Sequence, residues 1–280
     1  EKIALVYIRS FHNANPFTIH MVKQLKHAGA KVVMEIPTYP YDQEYVTRSM
    51  KFHLAIDRCF RHKLAKALDG IVTFSNAEEI FGGNTIRISN GIDFEAIPMK
   101  KQQNDTSKEL HLIGVAEVHY WHGFDRLVRG LADYYRSNPE YKVYFHIVGP
   151  LSGERERAGI LPVVRDNHLE PYVLLHGPLH GDELDAMFEK ADFAIGSLGR
   201  HRSGITYIKT LKNREYAARG FAFTYSETDD DFDHMPYVWK VAPDESPVDI
   251  QGLIDFRKTL KMTPAEIRES VCPLSWRAQM

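Results

Sequence analysis

Ile88-Ser89-Asn90-Gly91-Ile92-Asp93-Phe94 follows a short apolar strand pattern and precedes a polar stretch, beyond which a second strand–helix series begins. Asn-Gly supplies the positive backbone dihedrals of a sharp turn, so by itself the segment reads as a strand-ending turn. Its position gives it more weight. On each side the chain alternates apolar strands with amphipathic helices, so the turn falls where one α/β half ends and another starts.

Upstream, Ile3-Ala4-Leu5-Val6-Tyr7-Ile8 is apolar throughout, the composition of a strand buried on both faces of a parallel sheet. Asn15 and Pro16 open a helix as N-cap and first residue; Phe17, Met21, Val22, Leu25 and Ala28 recur at helical spacing, and Gly29 ends it. Further strands are predicted over residues 31–36, 70–75 and 85–89, with a long helix over 43–68. Downstream, strands over 110–116, 141–148, 172–176, 192–198 and 221–225 alternate with helices over 123–136, 154–165, 182–190 and 209–219. This rhythm predicts an α/β fold of doubly wound, Rossmann-like parallel sheets with helices on both faces. The expected division is 1–98 for an N-terminal domain, 99–109 for a polar linker, 110–260 for a C-terminal domain and 261–280 for a helical tail. The first half is the shorter and begins on a central-type strand, which predicts missing N-terminal strands: a fragment, a processed chain or a fold-specific cover.

Composition narrows the classes. The chain has 280 residues, 44% of them hydrophobic, and a formal net charge of −2, which argues against a nucleic-acid partner. Cys59 and Cys272 form no disulfide framework and fit a reducing, cytoplasmic setting. No apolar run approaches the roughly 18 residues of a membrane span, and no signal-peptide pattern is visible. The first residue is Glu1 rather than Met, so the native start is expected upstream.

The chemistry concentrates in Ser197-Leu198-Gly199-Arg200-His201-Arg202-Ser203-Gly204 and the following Lys209-Thr210-Leu211-Lys212-Asn213-Arg214-Glu215. A strand ends, a basic glycine-containing loop follows, and a helix starts. Ligands of open α/β sheets bind at the carboxyl ends of strands, and a helix N-terminus presents N–H groups and positive dipole density to phosphate. Arg200, Arg202, Lys209 and Lys212 add positive charge there. The reading is diphosphate binding, against the plainer one of a solvated basic loop. Glu215 lies in an apolar stripe with Ile208, Leu211 and Ala218; it reads as an acceptor for sugar hydroxyls or as a helix ion pair with Lys212 or Arg219.

Glu215-Tyr216-Ala217-Ala218-Arg219-Gly220-Phe221 resembles the segment of family-4 glycosyltransferases that reads Glu-Ala-Met-Ala-Cys-Gly before a strand, and Asn90-Gly91-Ile92-Asp93 resembles their hinge signature. Gly114-Val115-Ala116-Glu117-Val118-His119-Tyr120-Trp121-His122-Gly123-Phe124-Asp125-Arg126-Leu127 is similar to the family's strand–loop–helix segment. The run Trp121-His122-Gly123-Phe124-Asp125-Arg126 looks like a subgroup that makes capsular and exopolysaccharides. The resemblance implies a two-domain GT-B fold, a nucleotide-diphosphate sugar as donor, a glycan or lipid-linked acceptor and retention of anomeric configuration. It implies no cofactor, and catalysis without a metal. Peripheral contact with the inner membrane face follows only from the lipid-linked acceptors, since no basic amphipathic helix supports it.

Residue by residue, Glu215 inherits the ribose, and Gly114, Trp121, His201, Thr210, Leu211 and Lys212 join the donor-binding set. His122 stands at the family's Lys position, where a protonated imidazole serves phosphate. With Arg202 and Lys209 it forms the charge expected on the departing diphosphate. The family's other Glu, eight residues before Glu215, is here Tyr207, and Val115 stands at an Arg position. In the first half Glu35-Ile36-Pro37-Thr38-Tyr39-Pro40-Tyr41 resembles the subgroup's acidic–proline–tyrosine loop. Glu35 is therefore placed with the catalytic set, and Tyr39 and Tyr41 on the acceptor side; a rigid loop with solvated carboxylates explains the same residues. Asp229-Asp230-Asp231 imitates a metal-binding acidic motif but reads better as a solvated loop. Two other functions use the same architecture, a noncatalytic nucleotide-sugar-binding protein and a nucleotide-sugar epimerase; dependence of turnover on acceptor separates them.

Overall fold

The chain divides between Ser89 and Asn90 into two compact units, ahead of the polar stretch at 99–109. The structure, a computed structural model, describes residues 3–9 and 14–279.

The first unit runs β1 (Leu5–Arg9), α1 (Pro16–His27), β2 (Lys31–Ile36), a 3-10 turn (Asp42–Glu44), α2 (Arg48–Ala67), β3 (Gly70–Thr73), β4 (Glu79–Ile80) and β5 (Gly83–Arg87). Asn15 Oδ1 accepts the Thr18 N–H at 3.0 Å with Pro16 in the first turn, and Thr47 Oγ1 accepts the Met50 N–H at 3.2 Å, so both helices start on side-chain caps. The sheet order is β1-β2-β3-β5-β4, parallel except for the β4–β5 hairpin, which the sequence reading missed because β4 has only two residues. Val22, Val32, Met34, Leu64, Ile71 and Ile80 close its core. The apolar run at residues 3–8 predicts burial on both faces, but β1 is the edge strand, paired with β2 alone among the described residues, and Leu5 is 59% exposed. Apolar composition registers what favours cover; it does not say what covers it.

The second unit contains β6 (Glu109–Val115), α3 (Phe124–Tyr135), β7 (Lys142–Val148), α4 (Glu154–Asp166), β8 (Val173–Gly177), α5 (Gly181–Lys190), β9 (Phe193–Ile195), α6 (Leu211–Ala218), β10 (Phe223–Tyr225), β11 (Val238–Lys240), α7 (Ile250–Thr259), α8 (Pro264–Ser270) and α9 (Trp276–Gln279). Its six strands are all parallel in the order β11-β10-β9-β6-β7-β8. The central strands read as near-continuous apolar runs because helices cover them, and Leu112, Ile113, Phe145, Ile147, Phe193 and Phe223 are fully buried. Strand order reverses between β6 and β9, which makes the carboxyl ends of those two strands the topological switch point.

Two local expectations change. Neither Asn90 nor Gly91 has positive φ; glycine is needed because a Cβ at 91 would collide with the Trp276 indole. Ile92 accepts the Trp276 N–H at 3.1 Å and donates its own to Leu274 O at 2.8 Å, so the Asn-Gly segment is a docking strip for the C-terminal tail. The polar stretch at 99–109 is also fastened down. Lys100 is buried, and its Nζ donates to the carbonyls of Glu189 (2.6 Å) and Ala191 (2.5 Å), capping the end of α5 with a cation.

Candidate functional site

Two loops leave the switch point, residues 116–123 after β6 and 196–210 after β9, and their backbones join. Leu198 N–H donates to His122 O at 2.8 Å and Gly199 N–H to Trp121 O at 3.2 Å. This approach requires glycine at 123, where φ is +65° and a Cβ would stand 2.7 Å from Gly199 N. Arg126, almost fully buried, locks the pair from below: it donates to Leu198 O, to Ser246 O at 2.8 Å and to Asp244 at 3.1 Å. Tyr216, on α6, ties the strand ends together, donating to Ile195 O at 3.1 Å and accepting Val115 N–H at 3.3 Å. Sequence reasoning gave neither Arg126 nor Tyr216 a role; a large polar side chain at a core-facing helix position was the available signal.

The expected cations separate into committed and uncommitted groups. Arg202 is committed: it meets Asp125 at 2.7 and 2.9 Å, Glu245 at 2.8 and 2.6 Å, and Tyr120 O at 2.9 Å. Those bonds hold Glu245 down at a pKa of about 2. The charge expected from Arg202 at a diphosphate is thus already neutralised, because Asp125 of α3 and Glu245 of the β11–α7 loop reach it first. His201 joins the same network, 2.9 Å from Glu245. Lys209 sits 3.5 Å from Asp231, and its carbonyl accepts Asn90 Nδ2 at 2.5 Å.

Lys212 differs. It is half-buried in the first turn of α6 and has no hydrogen bond or ion pair with any described residue. Burial, reinforced by Arg200, lowers its pKa to about 7. Arg200 stands over the Trp121 ring at 5.6 Å. His122 is buried, and its Nδ1 accepts His119 N–H at 2.9 Å, which places its proton on Nε2. Burial, then Lys212 and Arg200, hold its pKa well below that of a free imidazole. His122 therefore brings an N–H to this place, not the positive charge expected. Thr210 caps α6 by accepting Asn213 N–H at 3.3 Å, which leaves the N–H groups of Leu211 and Lys212 without intrahelical acceptors. Leu211 is 59% exposed, so the apolar stripe expected through Ile208, Leu211 and Ala218 is broken at its start.

Glu215 accepts Arg219 Nε at 2.9 Å, the helix ion pair weighed from spacing, and Arg219 continues to Asp185 at 2.7 Å. Glu215 Oε2 bonds no described residue. Glu227, just past β10, was missed by sequence reasoning. It is only 2% exposed, and neither of its carboxyl oxygens has a hydrogen-bond partner among the described residues. Burial lifts its pKa to about 7 against the pull of Arg200. Gly114, expected at the donor, lies within β6, where a Cβ would come 2.7 Å from Phe124; it makes room for Phe124 to pack edge-on against Phe145. Trp121 is half-buried, between His119 at 4.5 Å and Arg200.

The acidic run is occupied by side chains. Asp229 receives Arg214 at 2.9 Å and Asn213 at 3.3 Å, Asp231 receives Arg214 and Lys209, and Asp230 accepts Tyr207 OH at 2.5 Å. Among the described residues no group of three His, Cys, Asp or Glu side chains has a metal-holding arrangement. A cavity of about 360 Å³ between α3 and α4 is bounded by Asp125, Arg155, Glu156, Arg202 and Glu245. Asp125, Arg202 and Glu245 there bond one another, and Glu156 accepts Tyr120 N–H at 2.8 Å.

In the first unit Glu35 is buried at the end of β2, accepting Tyr7 OH at 2.5 Å, with Arg9 at 3.5 Å. Tyr41 OH donates to Asp57 at 2.8 Å, and both Tyr39 and Tyr41 pack edge-on against Phe81. Tyr39 precedes a cis proline, Pro40. The Tyr41 hydroxyl is held inside the unit.

No family model matches the chain, and no curated protein does. Solved structures do. Sucrose-phosphate synthase from Thermosynechococcus elongatus aligns with a TM-score of 0.69 and 16% identity, over 98% of this chain and 70% of that one. Anabaena HepE in complex with UDP-glucose aligns at 0.61 and 17%, over 97% and 74%. Trehalose-6-phosphate synthase, an enzyme of glycosyl transfer with retention, aligns at 0.60 and 12%, over 96% and 68%. The fold is GT-B. At these identities the likeness is one of fold, with each unit a Rossmann-like domain. No helix among the described residues is long and apolar enough to cross a membrane.

Proposed function

We propose that this protein is a glycosyltransferase that moves a sugar from a nucleotide-diphosphate donor to a glycan or lipid-linked acceptor, with retention and without a bound metal. The observation that carries the reading is Lys212: an ammonium without an ion-pair partner among the described residues, beside Arg200, at the N-terminus of α6 and at the switch point of the second unit. An uncompensated cation that has lost part of its hydration is unstable until an anion arrives. A diphosphate suits it, because the N–H groups at the start of α6 and the His122 Nε2–H supply directed donors beside the charge.

The same groups support catalysis. As the glycosidic bond to phosphate breaks, negative charge grows on the departing diphosphate, and fixed donors there stabilise the transition state more than the ground state. Lys209 is proposed to assist from the start of the same helix, and Glu215 Oε2 to accept a ribose hydroxyl. Retention is favoured by the likeness to trehalose-6-phosphate synthase, and a nucleotide-sugar donor by the likeness to HepE in complex with UDP-glucose. Metal independence is favoured because Asp229, Asp230 and Asp231 already serve Arg214, Lys209 and Tyr207. A role in surface polysaccharide synthesis rests on the Trp121–Arg126 resemblance. Glu35, Tyr39 and Tyr41 are proposed for the acceptor side.

The test is thermal unfolding with UDP, GDP, ADP and CDP in the presence of a chelator. A ligand at 100 times its Kd stabilises the native state by about 2.7 kcal/mol. One diphosphate is expected to stabilise selectively, with the effect lost in Lys212→Met. No stabilisation by any of them, in protein shown to be folded, overturns the reading.

A further inference from the structure

Glu227 has cations near it, and among the described residues none of them bonds its carboxyl group. Its backbone is pinned on both sides: Ser226 N–H donates to Ser197 O at 2.9 Å, and Thr228 N–H to Thr206 O at 2.8 Å. The residue is thereby fixed against the loop that carries Arg200. Lys240 reaches Glu227 but bonds its main-chain carbonyl, sending its other contact to Asp233 at 2.8 Å. Lys212 and Arg200 act on Glu227 electrostatically, yet no ion pair closes at Lys212. Nearby polar atoms show the same pattern: Ser197 Oγ, Thr224 Oγ1 and Asn213 Oδ1 are buried without hydrogen-bond partners among the described residues. Ser197 O accepts from Ser226, and Asn213 Oδ1 and Thr224 O both lie against Gly196, so these residues meet at the ends of β9 and β10.

A buried carboxyl with no partner is costly, and such groups are rare in native structures. A carboxyl group does not attract phosphate. It accepts from hydroxyl groups, and its two oxygens can take two neighbouring hydroxyls at once.

We propose that Glu227 is the sugar-recognition residue of this site, its unpartnered carboxyl group taking hydroxyls of the hexose carried by the diphosphate. The proposal rests on the donor reading above. It also gives a carboxyl group to a chain that has Tyr207 at the position where the resemblance expects one, and where Tyr207 is turned to Asp230.

The experiment compares a nucleoside diphosphate with its hexose conjugates by titration calorimetry. The diphosphate is whichever of UDP, GDP, ADP or CDP stabilises the wild type; the conjugates are its commercially available glucose, galactose and mannose forms. The wild type is expected to bind one conjugate more tightly than the bare diphosphate. Glu227→Met and Glu227→Gln should leave diphosphate affinity within about twofold and lower affinity for that conjugate by about ten- to a hundredfold, the scale of a hydrogen-bonded substrate hydroxyl left unmatched. A second reading needs no ligand. Glu227→Met should raise the Tm of the empty protein by about 2–4 °C, because the buried carboxyl is no longer left unsatisfied. A residue with a merely structural role gives the opposite sign.

A fall in Tm, an equal loss of diphosphate and conjugate affinity, or an undiminished preference for the conjugate in both variants overturns the role of Glu227 alone. So does a wild type that binds a diphosphate but none of its hexose conjugates more tightly. A wild type that binds no diphosphate overturns the donor reading itself, and this proposal with it.

Discussion

Asp229 and Glu227 stand two residues apart past the same strand, both buried, and the protein treats them in opposite ways. Asp229 is bonded by Arg214, by Asn213 and by the Asp231 N–H at 3.3 Å. Even so, burial raises its pKa above the ordinary carboxylate value against the pull of Arg214. Glu227 suffers the desolvation without the partner. A carboxylate that closes its own hydrogen bonds holds the loop in place; one that does not is set aside for something the chain does not contain. The same distinction separates Arg202, held between Asp125 and Glu245, from Lys212.

The sharpest way to break this comparison is to remove the partnered member. Asp229→Ala leaves the buried Arg214 guanidinium with one carboxylate instead of two. Loss of one partner of a buried pair typically costs about 3–5 kcal/mol, so the second unit should unfold at a markedly lower urea concentration. A loss below about 1 kcal/mol would show that Asp229 behaves as a surface carboxylate and would dissolve the contrast with Glu227.

A second contrast concerns partners that are bases. His111, His146 and His176 form a row across β6, β7 and β8, linked at 2.9 and 2.9 Å, and His111 reaches Glu109 at 3.2 Å. Neutral imidazoles with their protons on Nε2 satisfy every link in one direction, each ring donating toward Glu109. Burial, then His111, His176 and Lys190, lower the His146 pKa from 6.5 to about 3. Between those values the unfolded chain binds the extra proton and the folded one does not. The stability is thus fully present above about pH 6.5 and lost as pH falls toward 3. Wild type should lose about 2 kcal/mol between pH 7 and 4.5 from this group, measured as the difference in urea stability from His146→Gln. Parallel pH profiles for the two proteins would show that the row tolerates a charge.

Much of this was legible in the sequence, and the reason is physical. Strands covered on both faces announce themselves as apolar runs, and Asn15-Pro16 announces a helix start. The alternation of elements followed, and with it the doubly wound α/β architecture. Partnership was not legible. Arg200, Arg202, Lys209 and Lys212 look alike as a basic loop; which of them is neutralised depends on Asp125 and Glu245, distant in sequence and joined only by the fold. Gly91 read as a turn glycine and Gly114 as a donor-site glycine within a strand, yet each makes room for an aromatic ring, Trp276 or Phe124. Glu227, next to a run of three aspartates, carries no sequence signal that marks it as buried.

The Lys212–Arg202 contrast predicts a smaller, pH-dependent effect. With a pKa of about 7 in the empty site, Lys212 must take up a proton when an anion binds above that pH. Affinity for the diphosphate should therefore fall as pH rises from 7 to 9, by up to about tenfold per unit, and Lys212→Met should abolish the slope. Arg202→Met should keep the slope and act on stability instead, because it returns Glu245 from about 2 toward the ordinary carboxylate range. A slope that survives in Lys212→Met would assign the titrating group elsewhere.

The smallest effect is expected from the third member of the acidic run. Asp230 accepts the Tyr207 hydroxyl in an exposed pair, so Asp230→Asn should change stability by no more than about 0.5 kcal/mol. Asp231, which shares Arg214 with Asp229 and pairs with Lys209, should fall between its neighbours. The grading follows partners and burial alone, and a chelator should leave all three stabilities and the diphosphate affinity unmoved. A run of aspartates that served a metal would behave otherwise. Its members would act as a set, each substitution costing the same ligand affinity, and chelator would reproduce the loss. Measuring Asp229→Ala, Asp230→Asn and Asp231→Asn with and without chelator thus asks whether these carboxylates are closed by the chain's own cations or, like Glu227, open to a visitor.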